Sequence, residues 1–232
     1  MMNRLLSTLL LVLIASGLTY AQDSPAKSRF SADLGLSVGA QQYGGHAWLS
    51  NMHFLGAKRK IGIGYGIRWS SYFGTDQNFT SAPPEFAGKA EKEGTLTVAN
   101  AQINSLNLAI FLQYNITSKL EAGFNIDAIG FSFGDEQASA FAPPGTGTSN
   151  TAAYLANPTS TNLLLVGAND RGSLYSEFFV RYKLNDRLAI KAAFSYYFLE
   201  YTTSQPIAAN DDNDRFRNSA SMVGLGVSYT IK

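Results

Sequence analysis

The chain has no cysteine, which excludes disulfides and any thiol for lipid attachment. Charge is scarce too. Asp, Glu, Lys and Arg make up 15% of its 232 residues, where about a quarter is usual in soluble domains. Neither sign dominates, with 18 basic and 17 acidic side chains. That removes the basic excess that a nucleic-acid partner would call for. Long apolar runs are also missing. Leu5 to Leu18 is one apolar stretch, interrupted by Ser7, Ser16 and Gly17. A spanning helix needs about 20 apolar residues, and no other run in the chain approaches that length, so a helical membrane protein is excluded.

What the apolar stretch offers instead is an export signal. Arg4 precedes the apolar core, and Thr19-Tyr20-Ala21 follows it. This reads as a secretory signal over residues 1–21, cut after Ala21. Without Arg4 the acids and bases balance at 17 each.

Period-two alternation is what the chain has in abundance. Ile61, Ile63, Tyr65, Ile67 and Trp69 are separated by Gly62, Gly64, Gly66 and Arg68. Near the end, Val223, Leu225, Val227, Tyr229 and Ile231 alternate with Gly224, Gly226, Ser228 and Thr230. Alternation of this kind means strands with one apolar and one polar face. Eight such segments can be marked, at about residues 31–40, 47–56, 61–73, 105–116, 120–133, 174–184, 188–199 and 220–232. Near Ile129-Gly130-Phe131 the pattern breaks. Either a bulge at Gly130 switches the faces, or the strand has left the membrane and both faces are free to be apolar.

The connections sort by length. Ala57–Lys60, Thr117–Lys119 and Asn185–Arg187 are tight, while about 74–104, 134–173 and 200–219 are long. An even number of strands places both termini on the side of the tight turns. Short turns at one end and long loops at the other are the habit of outer-membrane barrels. The order expected is a short periplasmic segment at 22–30, then a barrel over 31–232 with its long loops facing outward.

Alternation alone does not say which face points out, and a lipocalin-like barrel has the same period with its apolar face inward. Three observations favour apolar-out. The polar faces are rich in Gly, Ser and Asn, which suits a narrow interior. Rings at Trp48, Trp69, Phe73, Tyr114, Tyr182, Tyr196, Phe198 and Tyr229 fall near strand ends on the apolar parity, as interfacial girdles do. The segments also match the 9–11 residues of a tilted crossing. Lipid-facing positions are then Leu34, Leu36, Ile61, Ile63, Tyr65, Ile67, Trp69, Leu108, Ile110, Leu112, Phe124, Phe178, Val180, Ile190, Phe194, Val223, Leu225, Val227 and Tyr229.

On these segments the chain resembles the small eight-stranded outer-membrane barrels, the OmpA-barrel and OmpX-like proteins, in the style of outer-membrane β-barrel proteins of the Bacteroidetes type. The resemblance covers about residues 31–232 and lies in architecture, with no signature motif. It implies an all-β, eight-stranded antiparallel up-and-down transmembrane β-barrel in a bacterial outer membrane. It also implies outer-membrane lipids and the barrel assembly machinery as partners. Many such barrels end on an aromatic residue read by that machinery, whereas this chain ends on Lys232.

With apolar faces outward, the lumen receives Asp33, Arg68, Glu121, Asp127, Glu177, Arg181, Lys183 and Lys191, four acids and four bases. Selective pores are usually lined by one sign. Matched charges point to pairing and a plugged interior, because an unpaired buried charge is costly. If Leu184 faces Leu188 across the Asn185–Arg187 turn, Arg181 lies opposite Lys191. An acid is then needed between them, with Glu177 and Glu121 the candidates.

Catalysis finds little support. His46 is placed near the first outer loop and His53 in the lumen, and no serine stands beside either at a nucleophile's spacing. Asp211-Asp212-Asn213-Asp214 offers oxygens but lacks the glycine and distal glutamate of an EF-hand loop, so it reads as a solvated tip. Nothing calls for a cofactor or metal. Leu163-Leu164-Leu165-Val166 reads as a loop strand over the barrel mouth, or as a contact for a partner or lipid. The expected function is structural, or surface interaction through the long loops, in a non-enzyme. A narrow channel for ions or small solutes is the alternative, and an exported soluble ligand-binding barrel is the third reading.

Overall fold

The computed structural model describes residues 27–146, 152–165 and 169–232. The expected signal at 1–21 lies outside them. The fold is all-β, with strands β1 (Ser28–Gly39), β2 (Gln42–Leu55), β3 (Ile61–Ser81), β4 (Thr95–Asn115), β5 (Leu120–Phe133), β6 (Gln137–Ala142), β7 (Ala152–Pro158), β8 (Thr161–Leu163), β9 (Leu174–Lys183), β10 (Leu188–Ile207) and β11 (Asn213–Thr230). Eight of them close an antiparallel ring in the order β1-β2-β3-β4-β5-β9-β10-β11, with β11 returning to β1. This is the up-and-down barrel that the alternation predicts.

Its outer wall is apolar. Leu36, Tyr65, Trp69, Leu108, Phe178, Val223 and Leu225 are all more than half exposed. The inward residues of the same strands include Asp33, Arg68, Asn107, Lys191 and Ser228, all buried. Apolar outside and polar inside is the polarity of a transmembrane barrel, not of a lipocalin-like one.

The tight turns form for local reasons. Asn185 Oδ1 accepts from the backbone N–H of Arg187 (2.9 Å) and of Leu188 (2.8 Å), an Asx turn that reverses the chain without help from elsewhere. Thr117 Oγ1 accepts in the same way from Leu120 N at 2.9 Å.

Three boundaries differ from the sequence reading. β1 begins at Ser28, so residues 28–30 of the expected periplasmic segment are strand. The stretches expected as long loops contain strand as well. β3 and β4 each run 21 residues, β10 runs 20 and β11 runs 18, and 134–173 contains β6, β7 and β8. Finally, the bulge sits at Ala128. Leu108 pairs with Ile129 and Ala109 with Asp127, which leaves Ala128 unpaired. Below the bulge Asn125 and Asp127 are buried; above it Ile129, Phe131 and Phe133 are exposed.

Strands of 21 residues reach about 70 Å at ~3.3 Å per residue, far beyond one bilayer crossing. The surplus builds a second storey. Above the β1–β2 turn, β11 pairs directly with β3 (Phe216↔Ser81, Arg217↔Thr80). On the other side the β6–β7 hairpin joins β4 to β10. The upper ring therefore has six strands, β3-β4-β6-β7-β10-β11. Its polarity is reversed. Phe79, Leu96, Val98, Phe141, Leu199, Tyr201, Ile207 and Phe216 form a buried apolar core. On the outer face Asn78 is exposed and accepts from Thr97 Oγ1 at 2.8 Å. The faces switch where Asp76 adopts a left-handed φ of 50° on β3, beside the exposed pair Ala99 and Asn100 on β4. Gly74 and Tyr72 point inward below that point, and Phe79 and Ser81 above it.

β2 also inverts an expectation. Trp48 and Met52 are buried in the lumen, so Trp48 is no girdle ring, and His53 is exposed while His46 is buried. The reason is space. β3 lines up Gly62, Gly64 and Gly66 against Phe54, Met52 and Ser50 of β2. A Cβ on Gly64 would collide with Met52. The glycine face of one strand makes room for the bulky face of its neighbour, and Trp48 packs on Phe111 with ring centroids 4.1 Å apart.

Candidate functional site

The lumen of the lower barrel holds a buried polar cluster, and it is layered along the barrel axis. At the short-turn end Glu121 collects three cations: Arg29 Nη1 at 2.7 Å, Lys183 Nζ at 2.8 Å and Arg181 Nη1 at 3.4 Å. Arg181 Nη2 also donates to Asp33 at 2.9 Å, and Ser228 donates to the same carboxylate. Gln113 Oε1 accepts from Arg29 at 2.6 Å.

In the middle layer Lys191 Nζ donates to Glu177 Oε1 (2.8 Å) and to His46 Nε2 (3.1 Å). The Tyr175 hydroxyl donates to Glu177 Oε2 at 2.8 Å and lies 2.8 Å from Ser195 Oγ. Trp48 and Phe179 flank the ammonium at 5.1 and 5.8 Å.

The upper layer centres on Arg68. Its Nε donates to Asp127 at 2.8 Å, its Nη2 donates to the same carboxylate and, at 3.0 Å, to the Tyr175 carbonyl, and its plane lies 4.4 Å from the Tyr175 ring. Asp127 Oδ2 accepts from Asn107 Nδ2 (2.7 Å) and Tyr175 N (3.0 Å). Asp127 holds the same inward parity as Glu121 and Asn125, and the Ala128 bulge directly above it ends that parity.

All eight residues singled out from the sequence thus reach the lumen. Seven are buried, and the Lys183 side chain is 30% exposed. The layers also hold Ser195, Asn107 and Asn125, which stand on the polar parity of their strands, and Arg29, His46 and Tyr175, which the sequence reading did not place in the lumen. Arg29 shares parity with Ser31 and Asp33, so extending β1 downward finds it. His46 shares parity with Trp48, and it is missed for as long as Trp48 is placed outward.

Above Arg68 a void of ≈ 10 Å³ is lined by Ser70, Tyr72, Ile103, Ser105, Tyr175 and Tyr197. That is room for about one water. Beyond it the apolar core of the upper ring begins.

On the outer wall of the upper ring, Glu200 is fully buried and accepts from Arg215 Nε, Arg215 Nη2 and Arg217 Nη2, each at 2.9 Å. Arg217 also lies over the Phe198 ring at 4.1 Å. Leu163 pairs with Ile129 in the β5–β8 contact and Leu164 N donates to Ala128 O, while Leu165 is exposed; Val166 lies outside the described residues. In the Asp211–Asp214 stretch, Asp211 and Asp212 hold positive φ angles of 52° and 58°. Among the described residues no group of three or more His, Cys, Asp or Glu side chains converges on a metal position.

No family model matches the chain, and no curated protein matches it. Among solved structures it is similar to Neisserial surface protein A, with a TM-score of 0.40 and 10% identity over 89% of this chain and 98% of that one. A major outer membrane protein from Thermus thermophilus gives 0.39 and 11%, covering 89% of this chain and 100% of that one. Ail, the attachment invasion locus protein of Yersinia pestis, solved with the heparin analogue sucrose octasulfate, gives 0.32 and 8%, covering 87% and 97%.

Proposed function

We propose that the protein is a sealed outer-membrane barrel that carries a rigid platform above the membrane for structural or interaction roles. The observation that carries this reading is the filled axis. Three layers of paired ions occupy the lower barrel, and an apolar core closes the ring above them. An ion crossing this path would have to break buried pairs and then enter a hydrocarbon-like plug, each step costing several kcal/mol.

The apolar belt takes outer-membrane lipids, and the barrel assembly machinery inserts the chain. Both termini and the tight turns lie on the periplasmic side, and the upper ring faces outward, available to a surface partner. We read the protein as a non-enzyme. His46 and Ser195 are buried within the Lys191–Glu177 layer, and His53 points to the outside of the barrel.

The absence of native cysteine makes the test clean. Single cysteines at Lys89, in the β3–β4 connection, and at Lys58, on the β2–β3 turn, are treated in intact cells with a membrane-impermeant maleimide. Lys89→Cys is expected to label at once and Lys58→Cys only after the outer membrane is opened. The reverse order would overturn the orientation, and labelling of neither after opening would overturn the surface reading.

A further inference from the structure

The short-turn end of the barrel is strongly basic. The β2–β3 turn carries Lys58, Arg59 and Lys60, the β4–β5 turn carries Lys119, and the chain ends on Lys232. Lys58, Lys60, Lys119 and Lys232 are exposed, and none of them makes an ion pair among the described residues. Against them these turns offer one carboxylate side chain, Asp186. The opposite end leans the other way. The β3–β4 connection holds Glu85, Glu91 and Glu93 against Lys89 and Lys92.

The position of the basic residues decides what they meet. They stand at the barrel's perimeter, on successive hairpins around it. Lys60 Nζ lies 5.9 Å from the Tyr114 ring centroid, and Arg187 Nη1 donates to the Tyr229 hydroxyl at 3.3 Å. Tyr114 and Tyr182 are outward rings at the lower edge of the apolar belt. Tyr114 pairs with Ile61, Tyr182 with Leu120 and Tyr229 with Leu188, so the three sit at one level, beside the turns. Aromatic rings at that level mark the membrane–water interface. Cations on or next to those rings are therefore held at headgroup depth, around the outside of the barrel. A protein partner approaching along the axis would instead meet the mouth, where Arg29 and Arg181 are already engaged by Glu121 and Asp33.

We infer that this rim binds the phosphate headgroups of anionic phospholipids in the leaflet on the short-turn side, and so holds the barrel at a fixed depth and orientation. The inference rests on the membrane placement proposed above. Each basic residue near an anionic surface strengthens binding by about fivefold at moderate salt, and salt screens the effect.

The test uses the full mature chain in neutral detergent, mixed with phosphatidylglycerol and phosphatidylcholine of matched acyl chains. Bound lipids are counted by native mass spectrometry. The wild type is expected to retain phosphatidylglycerol preferentially. The Lys58→Gln/Lys60→Gln/Lys119→Gln variant changes only exposed turn side chains and is expected to lose that preference by about tenfold or more. Lys89→Gln/Lys92→Gln, at the other end, is expected to keep it. Equal retention of both lipids by the wild type would overturn the inference, as would an equal loss in the second variant. A parallel flotation assay with vesicles keeps the two readings apart. A barrel that floats without lipid preference sinks only this inference, whereas one that does not float sinks the membrane placement itself.

Discussion

Arg181 and Lys191 face each other across β9 and β10, yet each gives its charge to a different carboxylate. Arg181 turns to Asp33 at 2.9 Å and Lys191 to Glu177 at 2.8 Å. Two like charges at one register position are destabilising alone. Here they divide the lumen into a lower layer around Glu121 and Asp33 and a middle layer around Glu177.

Glu177→Ala would therefore strand Lys191 inside the barrel. Breaking a buried pair by removing one partner costs about 3–5 kcal/mol. Urea unfolding in detergent micelles measures this. The double variant Glu177→Gln/Lys191→Met, which leaves no uncompensated charge, is expected to lose much less.

The belt and the upper ring respond oppositely to the same substitution. Ile63→Arg and Leu225→Arg each place a charge on the lipid-facing wall and should cost about 2–4 kcal/mol if near the midplane. Asn78→Arg, on the exposed outer face of the upper ring, should stay within about 0.5 kcal/mol. Heat-modifiability on gels and vesicle folding yields separate the two groups. Tolerance at both Ile63 and Leu225 would contradict the apolar-out assignment.

The upper ring should open without dissolving the barrel beneath it. Phe79 meets Tyr201 edge-on at 5.1 Å and Phe141 meets Phe216 at 5.7 Å. Phe79→Ala or Phe216→Ala is expected to remove about 3–5 kcal/mol of packing. Limited proteolysis should then cut in the 82–94 connection, while the lower barrel keeps its heat-modifiable band.

Alkali gives an independent view of the same core, above the membrane belt. The Tyr201 hydroxyl is bonded to the Gln102 backbone, and burial pushes its pKa up to about 12. The folded form holds this proton more tightly than the unfolded chain, whose phenol titrates near ~10. The stability it contributes is thus fully present below pH ~10 and is lost as pH rises through ~12. Phenolate absorbance followed against pH should show a late-titrating fraction that Tyr201→Phe reduces.

The belt was legible because β1, β3, β4, β10 and β11 each pair one apolar face with one small or polar face, and a period of two reads that directly. β2 was not, because Trp48 and Met52 share its inward face with His46 while Leu49 and Leu55 occupy the outward one. Alternation cannot rank two apolar faces. What settles them is the glycine face of β3, a relation between strands.

The strand ends were hidden for a different reason. At Asp76, and at Ala99–Asn100 across from it, the inward parity changes and the solvent changes with it. A pattern sought as apolar-out ends near Phe73, although the strand continues to Ser81. Much of the lumen was within reach, since its charges stand on the polar parity. Arg29 and His46 lay beyond the boundaries drawn for β1 and β2. Glu200 and its two arginines lay in a stretch read as loop, and no local signal joins them until β10 and β11 are paired.

The central claim is that the barrel's axis is closed, and single-channel recording in planar bilayers tests it most directly. The wild-type protein, shown by heat-modifiability to be folded and inserted, should give no unitary conductance steps in molar salt across the usual voltage range. Reproducible steps from the wild type that change in size with Glu177→Ala would contradict it. They would mean that ions pass through the Lys191–Glu177 layer.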